Sequence, residues 1–216
     1  MRSRTPLFAA VVFIVMFGVA TALIPSPPHV EDSGQKVVSW LNKHHDDIPI
    51  ASQLFLLATI PFLVLVGWTR RALPPLHGYA FLAAAGAFVG QAMIAVWINA
   101  GLALHSSSVA PETARTLMDV ASYFGPVLTA TDVVLAGAVA FAVFGHNSLP
   151  RPVGVISVVF AIEQLAESFT VYGSSGFAAP GGDWNAVLGG ALFAVWIVTL
   201  GVGLALKGSP EQAAAA

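Results

Sequence analysis

The hydrophobic positions of this chain form six long runs, separated by short segments rich in polar residues, glycine or proline. Each run reaches the roughly 20 residues that a helix needs to cross the hydrocarbon core of a bilayer. Backbone polar groups in lipid must pair within their own segment, so each run is expected to be helical. The pattern predicts an all-α fold, a single domain built as a bundle of six transmembrane helices. The predicted spans are 5–24, 49–68, 76–104, 118–145, 152–172 and 185–206.

The composition supports a membrane protein. Of the 216 residues, 56% are hydrophobic and 9% are charged, whereas soluble domains carry roughly 25% charged residues. The net charge of −2 and the absence of a basic run argue against a nucleic-acid partner. The chain has no cysteine, which excludes disulfides and thiolate metal sites. Membrane lipids are the expected partners, with a larger membrane complex or a homo-oligomer as alternatives.

The first run has two interpretations. It has a basic start and small residues at its end, as a signal peptide does, but its apolar part exceeds the usual length of about 7–15 residues. We therefore favour a transmembrane helix over a cleaved segment.

The positions of Lys and Arg indicate an orientation. Cytoplasmic loops of membrane proteins are enriched in these residues. A plasma-membrane protein with both termini in the cytoplasm would place six of them inside, namely Arg2, Arg4, Arg70, Arg71, Arg151 and Lys207, and only Lys36, Lys43 and Arg115 outside.

The segments outside the spans follow from this topology. Residues 25–48 form an external loop in which "QKVVSWLNKHH" is suited to a short interfacial helix. The later external loop "GSSGFAAPGGDWN" is expected to fold over the outer end of the bundle, with Phe177 and Trp184 as apolar anchors. Residues 207–216 form a short polar tail that is predicted to be disordered.

Four carboxylates fall within the predicted spans: Asp119, Asp132, Glu163 and Glu167. An acid near the centre of a membrane helix costs about 2.5–3.5 kcal/mol, so these residues are expected to face the bundle interior. Glu163 and Glu167 are four residues apart and share one helix face. On the fourth span, Ser122, Gly125, Thr129 and Asp132 would lie within an arc of about 80°.

These acids and nearby polar residues lie in the middle and outer parts of the spans. No Lys or Arg lies deep in a span to neutralise them, so at least one acid is expected to keep its proton near neutral pH. Together they predict an outward-facing acidic cavity that binds an amphipathic ligand, a cation or a proton. An extended form of this hypothesis adds transport of the bound species across the membrane. The candidate site residues are Asp132, Glu163, Glu167, Gln91, Asn99, Asp119 and Thr129.

Two other functions stay open. The chain could be an accessory subunit whose acids only join helices through hydrogen bonds. It could also be a lipid-modifying enzyme with Glu163 or Asp132 as general acid or base, although the absence of a catalytic motif favours a non-enzymatic role.

No metal or cofactor is expected. The "HHDD" run at 44–47 is interpreted as a solvated loop, because adjacent residues rarely point at a common centre, and the histidines lie at span ends or in loops, where haem ligation is not expected. The small residues of "GAFVG", Gly86 and Gly90, are expected to pack inside the chain rather than to form a dimer seam.

The six-span plan, the charged loop before the second span and "GFAAPGGDWNAVLGGALFAVWIVTLGVGL" resemble the uncharacterised integral membrane proteins of actinobacteria. The resemblance covers most of the chain and rests mainly on Gly and Trp packing patterns. It implies a membrane bundle and no catalytic residues.

Overall fold

The computed structural model describes residues 3–24 and 27–207. Arg2 and the tail predicted beyond Lys207 lie outside the described residues. Within this part the helices are α1 Thr5–Leu23, α2 Gly34–Lys43, α3 Asp47–Ala72, α4 Pro75–Leu104, α5 Pro111–Ser122, α6 Phe124–His146, α7 Arg151–Glu167 and α8 Gly190–Lys207.

The predicted fold class is confirmed. The described residues contain six helical segments that are long and apolar enough to cross a membrane, and they contain no β-strand. α3, α4, α6, α7 and α8 correspond to the second to sixth predicted spans, and α1 corresponds to the first. The chain is therefore an all-α, multi-pass bundle of the kind that the hydrophobic pattern indicates.

The fourth predicted span differs from the structure in one respect. It combines the end of α5 with α6, and the two helices are separated at Tyr123. Pro126 explains the break, because proline has no N–H to donate to the carbonyl of Ser122, four residues earlier. Asp119 and Ser122 therefore belong to a different helix from Asp132, and the predicted continuous face from residue 122 to 132 is interrupted.

α1 is an integral part of the bundle and packs against α3 and α8. The Phe13 ring lies 5.4 Å from that of Phe62 and 5.9 Å from that of Phe193, centroid to centroid. Gly201 lets α8 approach closely, since a Cβ at this position would lie 2.6 Å from the Cβ of Ala10. These contacts are consistent with the transmembrane interpretation of the first run.

Two amphipathic helices, α2 and α5, form a layer at the end of the bundle where α1 ends and α3 begins. We call this the outer end and the opposite one the inner end. α2 starts at Ser33, whose side chain accepts a hydrogen bond from the backbone N–H of Lys36 at 3.3 Å, as an N-cap does. α2 lies where a short helix was predicted in the first external loop. Its buried Val37 and Leu41 belong to one apolar cluster with residues of α4 and α5: Leu102, Ala103, Ala114 and Met118.

The expectation that Gly86 and Gly90 pack inside the chain is wrong. No atom lies within 4 Å of a Cβ built at either glycine. α4 instead turns Phe81, Ala85 and Phe88 towards the core. The two glycines are thus on the outer surface of the bundle, because the larger side chains of α4 fill the interior better.

Candidate functional site

Irregular backbone surrounds two of the predicted acids. α7 ends at Glu167 and continues as a 3₁₀-helix, Ser168–Tyr172. α8 is preceded by a π-helix, Trp184–Gly189, a rare conformation that is often found at functional sites. Gly189 packs directly against the Glu167 carboxylate, where a Cβ would collide. The π-helix therefore brings its own polar side chains next to the end of α7.

The two glutamates have all four carboxylate oxygens hydrogen-bonded. Glu163 accepts from Nε1 of Trp184 at 2.9 Å and from Nε2 of Gln164 at 2.9 Å. Glu167 accepts from Nδ2 of Asn185 at 2.6 Å and from Nε2 of Gln164 at 2.8 Å. The Gln164 amide thus joins the two acids. These neutral donors partly compensate for the loss of hydration.

Asp132 lacks such support. Its side chain is 5% exposed, and its Oδ1 atom has no hydrogen-bond partner among the described residues. It lies on α6 within electrostatic range of both Glu163 and Glu167. Three carboxylates from two neighbouring helices therefore share one region, and we call them the acid cluster.

No cation balances the acid cluster within the described part of the chain. The two glutamates accept hydrogen bonds from Trp184, Gln164 and Asn185, which are all neutral, and neither has an ion-pair partner among the described residues. An isolated ionised carboxylate in an apolar environment is costly, and repulsion from neighbouring acids adds to that cost. The arrangement therefore favours a bound proton or another positive charge.

Aromatic side chains fill the bundle on the inner side of the acid cluster. Phe160 lies one turn before Glu163 on α7, and its ring stacks with that of Trp196 at 5.3 Å. Phe193 lies 5.4 Å from Phe88 and 5.9 Å from Phe160. This apolar layer separates the acids from the inner end of the bundle, so the polar surroundings of the cluster lie on its outer side.

The loop before the π-helix folds back onto the bundle. The rings of Phe177 and Trp184 stack at 5.6 Å, so the predicted apolar anchors do contact each other. The backbone N–H of Gly181 donates to Oδ1 of Asn185 at 3.0 Å. A Cβ at Gly181 would lie 3.1 Å from the Cβ of Ser122 at the end of α5. The loop is therefore tied to residues that hold the acids.

The remaining predicted site residues make separate, local contacts. Gln91 contacts the residue next to the acid cluster, because its Oε1 accepts a hydrogen bond from Oγ1 of Thr131, the neighbour of Asp132, at 3.2 Å. Asn99 donates to the Ala95 carbonyl at 2.9 Å, Thr129 donates to the Pro126 carbonyl at 2.8 Å, and Asp119 lies 3.9 Å from Arg115 on α5.

Three site residues were not predicted from the sequence, namely Gln164, Asn185 and the indole N–H of Trp184. Gln164 stands between the two glutamates in "EQLAE", and "DWN" opens the last apolar run. Polar residues within or at the start of an apolar run were the sequence signal that could have identified Gln164 and Asn185 as site residues. Trp184 and Asn185 pair with the acids from the π segment, which hydrophobic periodicity does not reveal. Gln164 lies within α7 and contacts Glu167 at the regular i, i+3 spacing.

The described residues contain no group of three or more His, Asp or Glu side chains arranged to hold a metal ion. In the "HHDD" run the contacts are local, with His44 Nδ1 3.4 Å from Asp47 and His45 Nε2 3.4 Å from Asp46. No family model, curated protein or solved structure matches the chain.

Proposed function

We propose that this integral membrane protein binds and exchanges a proton at the acid cluster of Asp132, Glu163 and Glu167. The observation that carries the proposal is the buried Asp132 carboxylate oxygen without a hydrogen-bond partner. Protonation removes the charge of this side chain and converts it into a hydrogen-bond donor. Because both glutamates already accept two N–H donors each, Asp132 is the member of the cluster that holds the proton.

A proton suits the enclosed geometry better than a larger ligand. Glu167 is 3% exposed and Asp132 is 5% exposed. Trp184 and Asn185 lie between the glutamates and the external loop. An amphipathic ligand would require these side chains to move, whereas a proton requires only a transient water path.

The exchange takes place from the outer side. The aromatic layer around Phe160 and Phe193 closes the inner side, and the irregular 3₁₀ and π segments lie on the other. In the proposed orientation, both termini are in the cytoplasm of a plasma-membrane protein, since the described inner end carries five Lys or Arg residues and the outer end carries three. We also propose that the chain is related to the six-span integral membrane proteins of actinobacteria, and this proposal rests on the sequence patterns alone.

Infrared spectroscopy of the purified protein tests the proposal. A protonated carboxylic acid has a C=O stretch that the ionised form lacks, so a pH titration should show such a band and its loss. Asp132→Asn should remove the band. The matched control is Asp119→Asn, which changes an acid that pairs with Arg115 on α5 and should leave the band intact. A band that persists in Asp132→Asn would contradict the assignment of the proton to this residue.

A further inference from the structure

The charges of the described residues are segregated along the bundle. All of their Asp and Glu side chains lie in the outer half of the helices or in the outer loops. Among the described residues, the opposite or inner end, where α3, α6 and α8 end and α4 and α7 begin, carries only basic charges. Its described Lys and Arg residues are Arg4, Arg70, Arg71, Arg151 and Lys207.

Arg70 is the cation of this end that stacks on an aromatic ring. Its guanidinium carbon lies 4.2 Å from the centroid of the Tyr79 ring, a cation–π arrangement. Gly78 packs against the same side chain, since a Cβ there would lie 2.8 Å from Cδ of Arg70. The planar group is thus held in place by an aromatic face and by the start of α4.

The held guanidinium has no anionic partner within the described residues. The contrast is Arg115 at the outer end, which pairs with Asp119 and donates to the Val30 carbonyl at 3.4 Å. Stacking on Tyr79 uses the face of the Arg70 guanidinium but leaves its in-plane N–H donors available. Such a preorganised fork suits two oxygens of a phosphate group.

The neighbourhood of Arg70 provides further positive charge and an opening to lipid. Nζ of Lys207 donates to the Ala72 carbonyl at 3.1 Å, which brings a second cation to the end of α3. Tyr79 and Leu76, on the first turns of α4, are 61% and 78% exposed. An exposed Tyr beside basic residues is typical of the level of the lipid headgroups.

We propose that this inner-end site binds the phosphate group of an anionic phospholipid, with Arg70 as the main ligand and Lys207 as a supporting charge. A lipid fits better than a free phosphate ion, because the exposed Tyr79 and Leu76 offer an apolar surface to the acyl chains. The site is independent of the acid cluster, which lies in the other half of the bundle.

Lipid binding to the full-length protein in detergent provides the test. Native mass spectrometry should detect phosphatidylglycerol bound to the wild type, and much less phosphatidylcholine with the same acyl chains. Arg70→Gln should weaken phosphatidylglycerol binding by about fivefold or more. This is the loss of affinity expected when one cation at the level of the lipid headgroups is removed. Arg70→Lys should bind with intermediate strength, because it keeps the charge but loses the planar fork.

The matched control is Arg115→Gln, which removes the same charge at the outer end and should bind phosphatidylglycerol as the wild type does. Tyr79→Leu provides a second variant that keeps the guanidinium but removes its stacking partner, and its binding should also weaken. Equal binding by Arg70→Gln, Arg115→Gln and the wild type would overturn the proposal. Competition by inorganic phosphate at equal concentration would also overturn it, because the ligand would then be the free ion.

Discussion

At the scale of single residues, the main feature is the contrast between the three acids of the cluster. Glu163 and Glu167 each accept two N–H donors, whereas Oδ1 of Asp132 accepts none from the residues that the structure describes. Three acids that the sequence places alike, within predicted membrane spans, therefore have different local environments. Asp132 is therefore the member of the acid cluster best suited to hold a proton.

Substituting Asp132 should separate function from stability. Asn keeps the shape of the side chain and cannot ionise, so Asp132→Asn should unfold at a temperature equal to or above that of the wild type at neutral pH. The wild type should lose stability as the pH rises and Asp132 ionises, whereas the variant should lose less. Thermal unfolding in detergent across this pH range is the measurement. A markedly less stable variant would indicate that the aspartate is a structural hydrogen-bonding group.

The hydrogen bond between Glu163 and Trp184 should have a measurable coupling energy. Glu163→Leu leaves the Trp184 indole N–H and one Gln164 N–H without an acceptor, at a cost of about 1–3 kcal/mol. Trp184→Phe removes one of these donors. The double variant should therefore cost less than the sum of the single variants, by about 0.5–1.5 kcal/mol. Denaturant unfolding of the four proteins gives this difference, and strict additivity would contradict the contact.

At the scale of elements, the π-helix decides how the site is assembled. Its six residues, Trp184–Gly189, place both Trp184 and Asn185 against α7 and let Gly189 contact the Glu167 carboxylate. The 3₁₀-helix at the end of α7 adds Thr170, which accepts from Asn185 at 3.3 Å. Non-α backbone at membrane depth is tolerated where protein or water satisfies its polar groups. Thr170 and Gly189, the residues of the two segments that face Glu167 and Asn185, are buried.

Two adjacent glycines provide a matched test of this packing. Gly189→Ala inserts a methyl group into the Glu167 carboxylate and should destabilise the protein by about 1–3 kcal/mol. Gly190→Ala places its methyl group where no atom lies within 4 Å, so the gain in helix propensity should leave stability unchanged or raise it by up to about 1 kcal/mol. Denaturant unfolding compares the two. Equal effects would show that the π-helix does not pack on Glu167 as described.

At the scale of the whole molecule, polarity is distributed unequally along the membrane normal. The acid cluster, the amphipathic pair α2 and α5 and the glycine-rich loop occupy one end. Five basic residues that have no ion-pair partner among the described residues occupy the other. This asymmetry favours one orientation in the membrane. It also places the proposed proton site and the proposed lipid site in different halves of the bundle.

Single cysteines can test the orientation, because the natural chain has none. Cysteines at the exposed positions Ser33 and Ser107 should react with a membrane-impermeant thiol reagent in intact cells. A cysteine at His146, an exposed residue at the inner end of α6, should react only after the membrane is permeabilised. The opposite labelling pattern would reverse the proposed topology.

The sequence by itself determined the number, type and approximate limits of the transmembrane helices, because the length of an apolar run is a local property with a fixed physical requirement. It also identified Asp132, Glu163 and Glu167 as costly residues that need an interior position. Only the tertiary structure decided which polar atoms meet. Trp184 and Asn185 reach the acids from the π segment, whose backbone no hydrophobic pattern reveals. Gln164 joins the two glutamates from within α7 itself. The tertiary structure likewise decided that Gly86 and Gly90 lie on the outer surface. The neighbouring helices pack against the face of α4 that carries Phe81, Ala85 and Phe88, and the local sequence does not determine which face they choose.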